Sequence, residues 1–209
     1  MTVVSLGRVT LHVTPPRWTE SCATVRAVAY EWARDVEAMT VAYVRGTNLR
    51  QIGALLHFDW ASERLATFAD AEWQQDHDTG SYVVQAEQRD PWVVLVEPNG
   101  YLASIPEAVS ALSDLDVAVS VYWNVNAQMR FAMYADGVLV RSFDPLLPDL
   151  GPEGQPLAEE AGLPFGVDGE VPEAAALTLA ERLTGVAIDR AWLLDQARPT
   201  WTATGYQNT

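Results

Sequence analysis

Two stretches of the chain carry side chains that could perform acid–base chemistry or hold a metal ion. His57 lies two positions before Asp59, and His77 lies inside residues 70–78, which contain four carboxylates. A histidine beside a carboxylate is the arrangement of a general base with an orienting partner. The spacing matches no standard metal motif, because no His-x-x-x-His pair and no cysteine stands at ligand spacing. One hypothesis is therefore an enzyme site assembled around His57 or His77 and the nearby aspartates. The alternative is a solvated loop, and no metal ion or cofactor is predicted.

A second candidate is a polar cluster at the end of a predicted strand. Trp123, Asn124 and Asn126 stand where the strand at residues 117–124 turns into the next one. Amide and aromatic side chains together can line a polar pocket or an interface, although asparagine is also a common turn residue. We predict binding residues here, with turn chemistry as the open alternative.

A third candidate is an acidic stretch between the sheet and the last helix. Residues 142–181 contain acidic side chains throughout and no basic one. Such a run is either a solvated loop or a surface that receives a basic partner. Asp144, Glu159 and Glu160 are the predicted binding residues of this stretch.

The charge of the chain excludes several classes of function. The net charge is −15, from 28 acidic and 13 basic residues, and every basic residue is an arginine. This balance disfavours nucleic acid and anionic membrane surfaces as partners and allows a basic protein or peptide. The lack of lysine excludes a Schiff base and a P-loop site. A single cysteine, Cys22, and the lack of an apolar run of bilayer length predict a cytoplasmic protein without a membrane span.

The strongest structural signal is the segment at residues 92–144, which predicts a sheet-building unit. The apolar run at residues 92–96 suits a central strand that is covered on both faces. The Asp136-Gly137 dipeptide between two apolar runs predicts a type I′ hairpin. That turn pairs residues 135 with 138, 133 with 140, and 131 with 142.

The remaining elements are predicted mostly as helices. Apolar residues recur at three- and four-residue spacing over residues 19–43, which indicates a long helix, and shorter helices are expected from Asn48, Ser62 and Pro172. The predicted fold class is α+β, with N-terminal helices packed on a mainly antiparallel sheet of about five strands and with C-terminal helices. Residues 1–35 are expected to hold a strand and the start of the first helix, residues 36–194 a single domain, and residues 195–209 a flexible tail.

Three stretches carry a resemblance to a known family. They are TVAYVRG at residues 40–46, WVVLVEPNGY at residues 92–101, and residues 118–144 together with EEAGLPF at residues 159–165. In these the chain resembles an uncharacterised, Streptomyces-type actinobacterial family, a domain of unknown function. The resemblance covers about residues 36–194 and leaves the first 35 residues outside. It implies a source and an architecture, and no catalytic residue is carried over from it.

The sequence favours a binding protein over an enzyme. The acidity, the lack of a recognisable catalytic set and the eight tryptophans support a non-enzymatic acidic module, of the immunity or escort type, for a basic protein or peptide. The alternatives are the enzyme described above and an accessory protein of peptide natural-product biosynthesis that recognises a leader peptide.

Overall fold

A single antiparallel sheet organises the chain. The computed structural model describes residues 28–114 and 116–205. Within these ranges the sheet has nine strands in the order β2-β9-β3-β4-β1-β5-β6-β7-β8. Their bounds are β1 Met39–Arg45, β2 Phe58–Ala66, β3 Tyr82–Arg89, β4 Trp92–Pro98, β5 Val117–Trp123, β6 Met129–Ala135, β7 Val138–Phe143, β8 Glu153–Gly154 and β9 Arg198–Ala203.

Short helices cover both faces of this sheet. The α-helices are α1 Leu49–Leu55, α2 Phe68–Gln74, α3 Pro106–Leu112 and α4 Pro172–Thr184. The 3-10 helices are Val28–Asp35, His77–Thr79, Leu102–Ser104 and Ala158–Glu160, and Ala191–Asp195 form a π-helical turn. The larger apolar core lies between the sheet and α4, and the second core lies between the other face and α1 and α3. None of the helices in the described ranges is long and apolar enough to cross a membrane.

The predicted fold was wrong in its strand count and in its N-terminal helical layer. The sheet has nine strands, not about five. Part of the predicted first helix is instead β1, a strand in the middle of the sheet. Within the described part of that predicted helix, Val28–Asp35 is helical, as a 3-10 helix. The cause is that β1 is buried on both faces, so its residues are mostly apolar and do not alternate with polar ones. Such a pattern does not distinguish a buried strand from a buried helix. The predicted strand at residues 3–13 and Cys22 lie outside the described residues.

Two further strands replace predicted non-strand structure. The helix expected from Ser62 was predicted to begin too early: Ser62 lies in the edge strand β2, and α2 begins after Thr67, whose side chain caps it. The prediction of a flexible tail was wrong for Arg198–Ala203, because these residues form β9 between β2 and β3. Helices from Asn48 and Pro172 are confirmed as α1 and α4.

The hairpin at Asp136-Gly137 is confirmed, with a shift in its register. Both residues have positive φ, 49° and 75°, and Ala135 pairs with Val138 as predicted. A bulge then displaces the pairing by one residue, so that Phe131 faces Phe143 and not Ser142. The bulge places Phe143 in the larger core and buries Arg141, which pairs with Glu160.

Candidate functional site

Four neighbouring strands in the middle of the sheet, β4, β1, β5 and β6, frame a pocket at one of their ends. Met39 of β1 pairs with Pro98 of β4 on one side and with Trp123 of β5 on the other. The turn after β4 and the turn between β5 and β6 therefore stand on either side of Ala38. The pocket between them has a volume of about 450 Å³, and its walls include Asn99, Tyr101, Tyr122, Asn124, Asn126 and Gln128. We call it the amide pocket.

Asn124 builds one wall of the amide pocket. Its Oδ1 accepts hydrogen bonds from the backbone N–H groups of Asn126 at 2.9 Å and Gln128 at 3.2 Å. Its Nδ2 donates to the Tyr122 hydroxyl at 2.6 Å and to Gln128 Oε1 at 2.8 Å. The side chain holds the turn together, and Ala127 inside that turn has φ of 57°.

The buried carboxyl of Glu97 supports the opposite wall from behind and is not itself among the lining residues. Glu97 is fully buried and accepts backbone hydrogen bonds from Leu102 at 2.7 Å and Ala103 at 2.6 Å. The Thr40 hydroxyl donates to the Gly100 carbonyl at 2.7 Å. A Cβ on Gly100 would stand 2.8 Å from the Glu97 Cβ, so only glycine fits this approach. Burial raises the pKa of Glu97 to about 7, against the two hydrogen bonds, which lower it.

Three tyrosines surround this wall. The rings of Tyr82 and Tyr101 meet edge to face with centroids 5.3 Å apart, while Tyr101 keeps 41% of its surface exposed. Burial, and then a hydrogen bond with Tyr101, raises the pKa of Tyr82. Burial also raises the pKa of Tyr122, so its hydroxyl keeps its proton at neutral pH. The pocket therefore presents the protonated Tyr122 phenol and several carboxamides, groups that can hydrogen-bond a ligand.

The predicted site residues separate into two groups at this pocket. Asn124 and Asn126 are among its lining residues. Trp123 lies in the core, where its indole N–H donates to the Val36 carbonyl at 2.7 Å. Sequence reasoning missed Glu97, Tyr101 and Tyr122. An acidic residue inside the apolar run of β4 was the signal for Glu97, since a carboxylate at such a position needs partners.

The acidic stretch forms an ordered surface at the far side of the sheet. Asp144 accepts hydrogen bonds from the backbone of Leu146 at 2.8 Å and Leu147 at 3.3 Å, which fixes the start of a loop. Gly166 donates to the Pro145 carbonyl at 3.2 Å and lies beside Pro148, so the segment that begins at Gly166 meets residues 145–148. Both segments expose apolar and acidic side chains: Leu146, Leu147, Asp149, Leu150, Val167, Asp168 and Glu170. We call residues 146–150 and 166–170 the acidic leucine face.

Glu159 and Glu160 support this surface from within. Glu160 forms a two-pronged ion pair with Arg141 at 2.9 and 3.1 Å, and both side chains are largely buried. Arg182 donates to the carbonyls of Glu159 and Ala161 at 2.7 and 2.9 Å. Arg141 and Arg182, the two arginines that bracket the stretch, are thus used inside the protein.

In the two histidine stretches, aspartate side chains stabilise local turns by accepting hydrogen bonds from nearby backbone N–H groups. His57 is exposed with φ of 54° directly before β2, and its carbonyl accepts from the Thr204 N–H at 3.3 Å. Asp59 accepts a hydrogen bond from the backbone of Ala61, and Asp76 accepts one from the backbone of Asp78, both at 3.0 Å. In the part of the chain that the structure describes, no three histidine, cysteine or acidic residues form a group suited to a metal ion.

Comparison with known proteins identifies the family of the chain. The model of a family of unknown function, DUF6461, matches residues 18–204. The match extends the resemblance at both ends, into the N-terminal stretch left outside it and through β9. No curated protein and no solved structure matches the chain.

Proposed function

We propose that this chain, which belongs to that family of unknown function, is a non-enzymatic protein-binding module whose acidic leucine face receives a basic protein or peptide. The observation that supports the proposal is the composition of this face. Two loop segments, joined by the hydrogen bond from Gly166 to Pro145, expose leucines and carboxylates, and the arginines that flank them are engaged elsewhere.

Electrostatics favours a basic partner. With Arg141 bound to Glu160 and Arg182 bound to backbone carbonyls, neither arginine offsets the carboxylates of Asp149, Asp168 and Glu170. The net charge of −15 adds a long-range field of the same sign. Such a field speeds the approach of a positively charged partner and repels an acidic one.

The exposed apolar side chains favour a partner with an apolar stripe. Leu150 and Val167 leave 72% and 54% of their surfaces exposed, and Leu147 leaves 50% exposed. Burying such side chains contributes the hydrophobic part of an interface, roughly 25 cal/mol per Å² of apolar surface before the costs of association. A basic amphipathic helix supplies both the positive charges and the apolar stripe.

The histidine stretches support an enzyme less well. The carboxylates that would orient a base, Asp59 and Asp76, instead accept hydrogen bonds from neighbouring backbone N–H groups. An orienting carboxylate of a catalytic pair is hydrogen-bonded to the base itself.

The test is affinity purification of the tagged chain from its native host at two salt concentrations, with mass spectrometry of stoichiometric partners. The face variant is Leu150→Ser with Glu170→Gln. The matched control is Leu65→Ser with Glu63→Gln on β2, because Leu65 is as exposed as Leu150, 73% against 72%, and lies at the other edge of the sheet.

We expect one basic protein or peptide to bind the wild type and the control and to be lost from the face variant. Raising the salt from about 0.05 M to about 0.3 M shortens the Debye length and should weaken the complex. A partner that is acidic, or one that the face variant retains at full strength, would contradict the proposal.

The proposal includes a cytoplasmic location in an actinobacterium. The single cysteine fits a reducing compartment, and the arginine-only basic set fits a GC-rich genome. Fractionation of the native host would check the location.

A further inference from the structure

The amide pocket lies away from the acidic leucine face, and its lining differs from the rest of the chain. The chain carries 28 acidic residues and 13 arginines, yet no acidic residue, arginine or histidine is among the described residues that line the pocket. A cationic ligand would find no carboxylate on these walls, and an anionic ligand would be opposed by the net charge of −15. The pocket therefore suits a neutral ligand.

The walls offer hydrogen-bonding groups that the protein itself does not use. Within the described residues, the side-chain amides of Asn99 and Asn126 and the Gln128 Nε2 make no hydrogen bond. The Tyr122 hydroxyl accepts from Asn124, and its own proton remains to be donated. A carboxamide presents donors and an acceptor side by side. A sugar hydroxyl both donates and accepts, so a row of hydroxyls matches such a set.

The pocket also has an aromatic platform. Tyr101 keeps 41% of its surface exposed, and its ring is held from the side by Tyr82. An aromatic ring held in one orientation offers a flat apolar surface at low entropic cost. The C–H face of a sugar ring is flat and apolar, whereas its rim carries the hydroxyls.

Both turns of the pocket are fixed in advance. Glu97 and Thr40 hold one turn through three hydrogen bonds, and Asn124 holds the other through four. Each turn contains a non-glycine residue with positive φ, Asn99 at 52° and Ala127 at 57°. Such conformations cost energy and are concentrated at binding sites. A preformed site keeps its affinity because little has to be ordered on binding.

From these observations we infer that the amide pocket binds a neutral saccharide, with the ring of Tyr101 against the sugar face and with the amides of Asn126 and Gln128 on the hydroxyls. The pocket volume of about 450 Å³ is within the range of small-ligand sites, roughly 300–1,000 Å³.

The test is a titration of the ¹⁵N-labelled full chain, followed by NMR of the backbone and side-chain amides. The probes are three neutral trisaccharides, maltotriose, cellotriose and triacetylchitotriose, with trigalacturonate and trilysine as charged comparisons. We expect at least one neutral trisaccharide to shift the signals of residues 99–101 and 122–128, with a Kd on the order of 1 mM.

Variants separate the platform from the amides. Tyr101→Ala should weaken binding about tenfold, and Tyr101→Phe should keep the affinity within about twofold because the ring remains. Asn126→Ala with Gln128→Ala should weaken it about tenfold. The matched control is Gln155→Ala, an exposed carboxamide outside the pocket. Thermal unfolding checks that each variant is folded.

The inference is overturned if no neutral trisaccharide at about 10 mM shifts the pocket signals, a concentration well above the expected Kd. It is also overturned if the folded Tyr101→Ala variant binds as well as the wild type, or if only a charged probe binds there. None of these three outcomes bears on the acidic leucine face.

Discussion

The buried carboxyl of Glu97 should make the stability of this protein fall as the pH rises from about 4.5 to about 7. Glu97 is fully buried in the sheet, and burial raises its pKa from 4.5 to about 7. The folded state then binds a proton in this pH window that the unfolded state has lost. The slope of unfolding free energy against pH is negative when the folded state holds more protons, so this stabilising contribution is complete below the unfolded pKa and is lost as the pH passes the folded pKa.

The size of the effect follows from the two pKa values. A shift from 4.5 to about 7 corresponds to a contribution of about 2–3 kcal/mol at pH 5 that falls to near zero at pH 8. The opposing contribution is also visible in the structure. Leu102 and Ala103 each donate a short backbone hydrogen bond to one carboxylate oxygen, and such bonds favour the ionised form. Desolvation is the larger of these effects, and this balance is what the measurement tests.

The assay is urea unfolding of the wild type and of Glu97→Gln at pH 5, 6, 7 and 8. The other carboxylates titrate alike in both proteins, so the difference in unfolding free energy isolates Glu97. The glutamine variant should be less stable at every pH, because its NH₂ group faces one of the two backbone donors. The wild-type advantage should shrink by about 2–3 kcal/mol between pH 5 and pH 8. A constant advantage would show that the hydrogen bonds keep the carboxyl ionised and would refute the argument.

Three further changes test the packing by denaturant unfolding. Glu160→Ala leaves the guanidinium of Arg141 buried without its partner, and we expect a loss of about 3 kcal/mol; a loss below about 1 kcal/mol would show that the pair is solvated. Trp123→Phe removes a buried indole hydrogen bond and should cost about 2 kcal/mol, whereas Trp73→Phe, at a residue 90% exposed, should change stability by less than about 0.5 kcal/mol. Equal effects of the two tryptophan changes would contradict this burial. Gly185→Ala meets no neighbouring atom but has φ of 73°, so a cost of about 1 kcal/mol from the backbone alone is expected, and a neutral result would mean that the end of α4 adapts.

The parts of the fold that the sequence predicts are those with local causes. The Asp136-Gly137 turn depends on two residues that tolerate positive φ, and it forms as expected. Pro172 and Gly185 bracket α4, because proline suits a first helical turn and glycine suits a left-handed C-terminal position. In each case the information lies within a few residues of the feature.

The parts that were missed depend on distant neighbours. Residues 39–45 form the strand β1 because β4 and β5 pair with them on the two sides. The tail forms β9 because it pairs with β2 on one side and with β3 on the other. The bulge before Arg141 follows from Glu160 and Phe165, which come later in the chain and contact Arg141 and Phe143. No local pattern contains these partners.

The candidate binding residues show the same limit at the level of single side chains. Asn124 and Asn126 are alike in sequence, and both turn formation and ligand binding favour asparagine. The structure separates them by their hydrogen bonds. The Asn124 side chain makes four hydrogen bonds that hold the turn, whereas the Asn126 side chain makes none within the described residues. Replacing Asn124 should therefore disturb the shape of the pocket, and replacing Asn126 should change only what the pocket can bind. A side chain that the fold already uses for its own support is a poor candidate for recognition, and that distinction becomes available only when its partners are known.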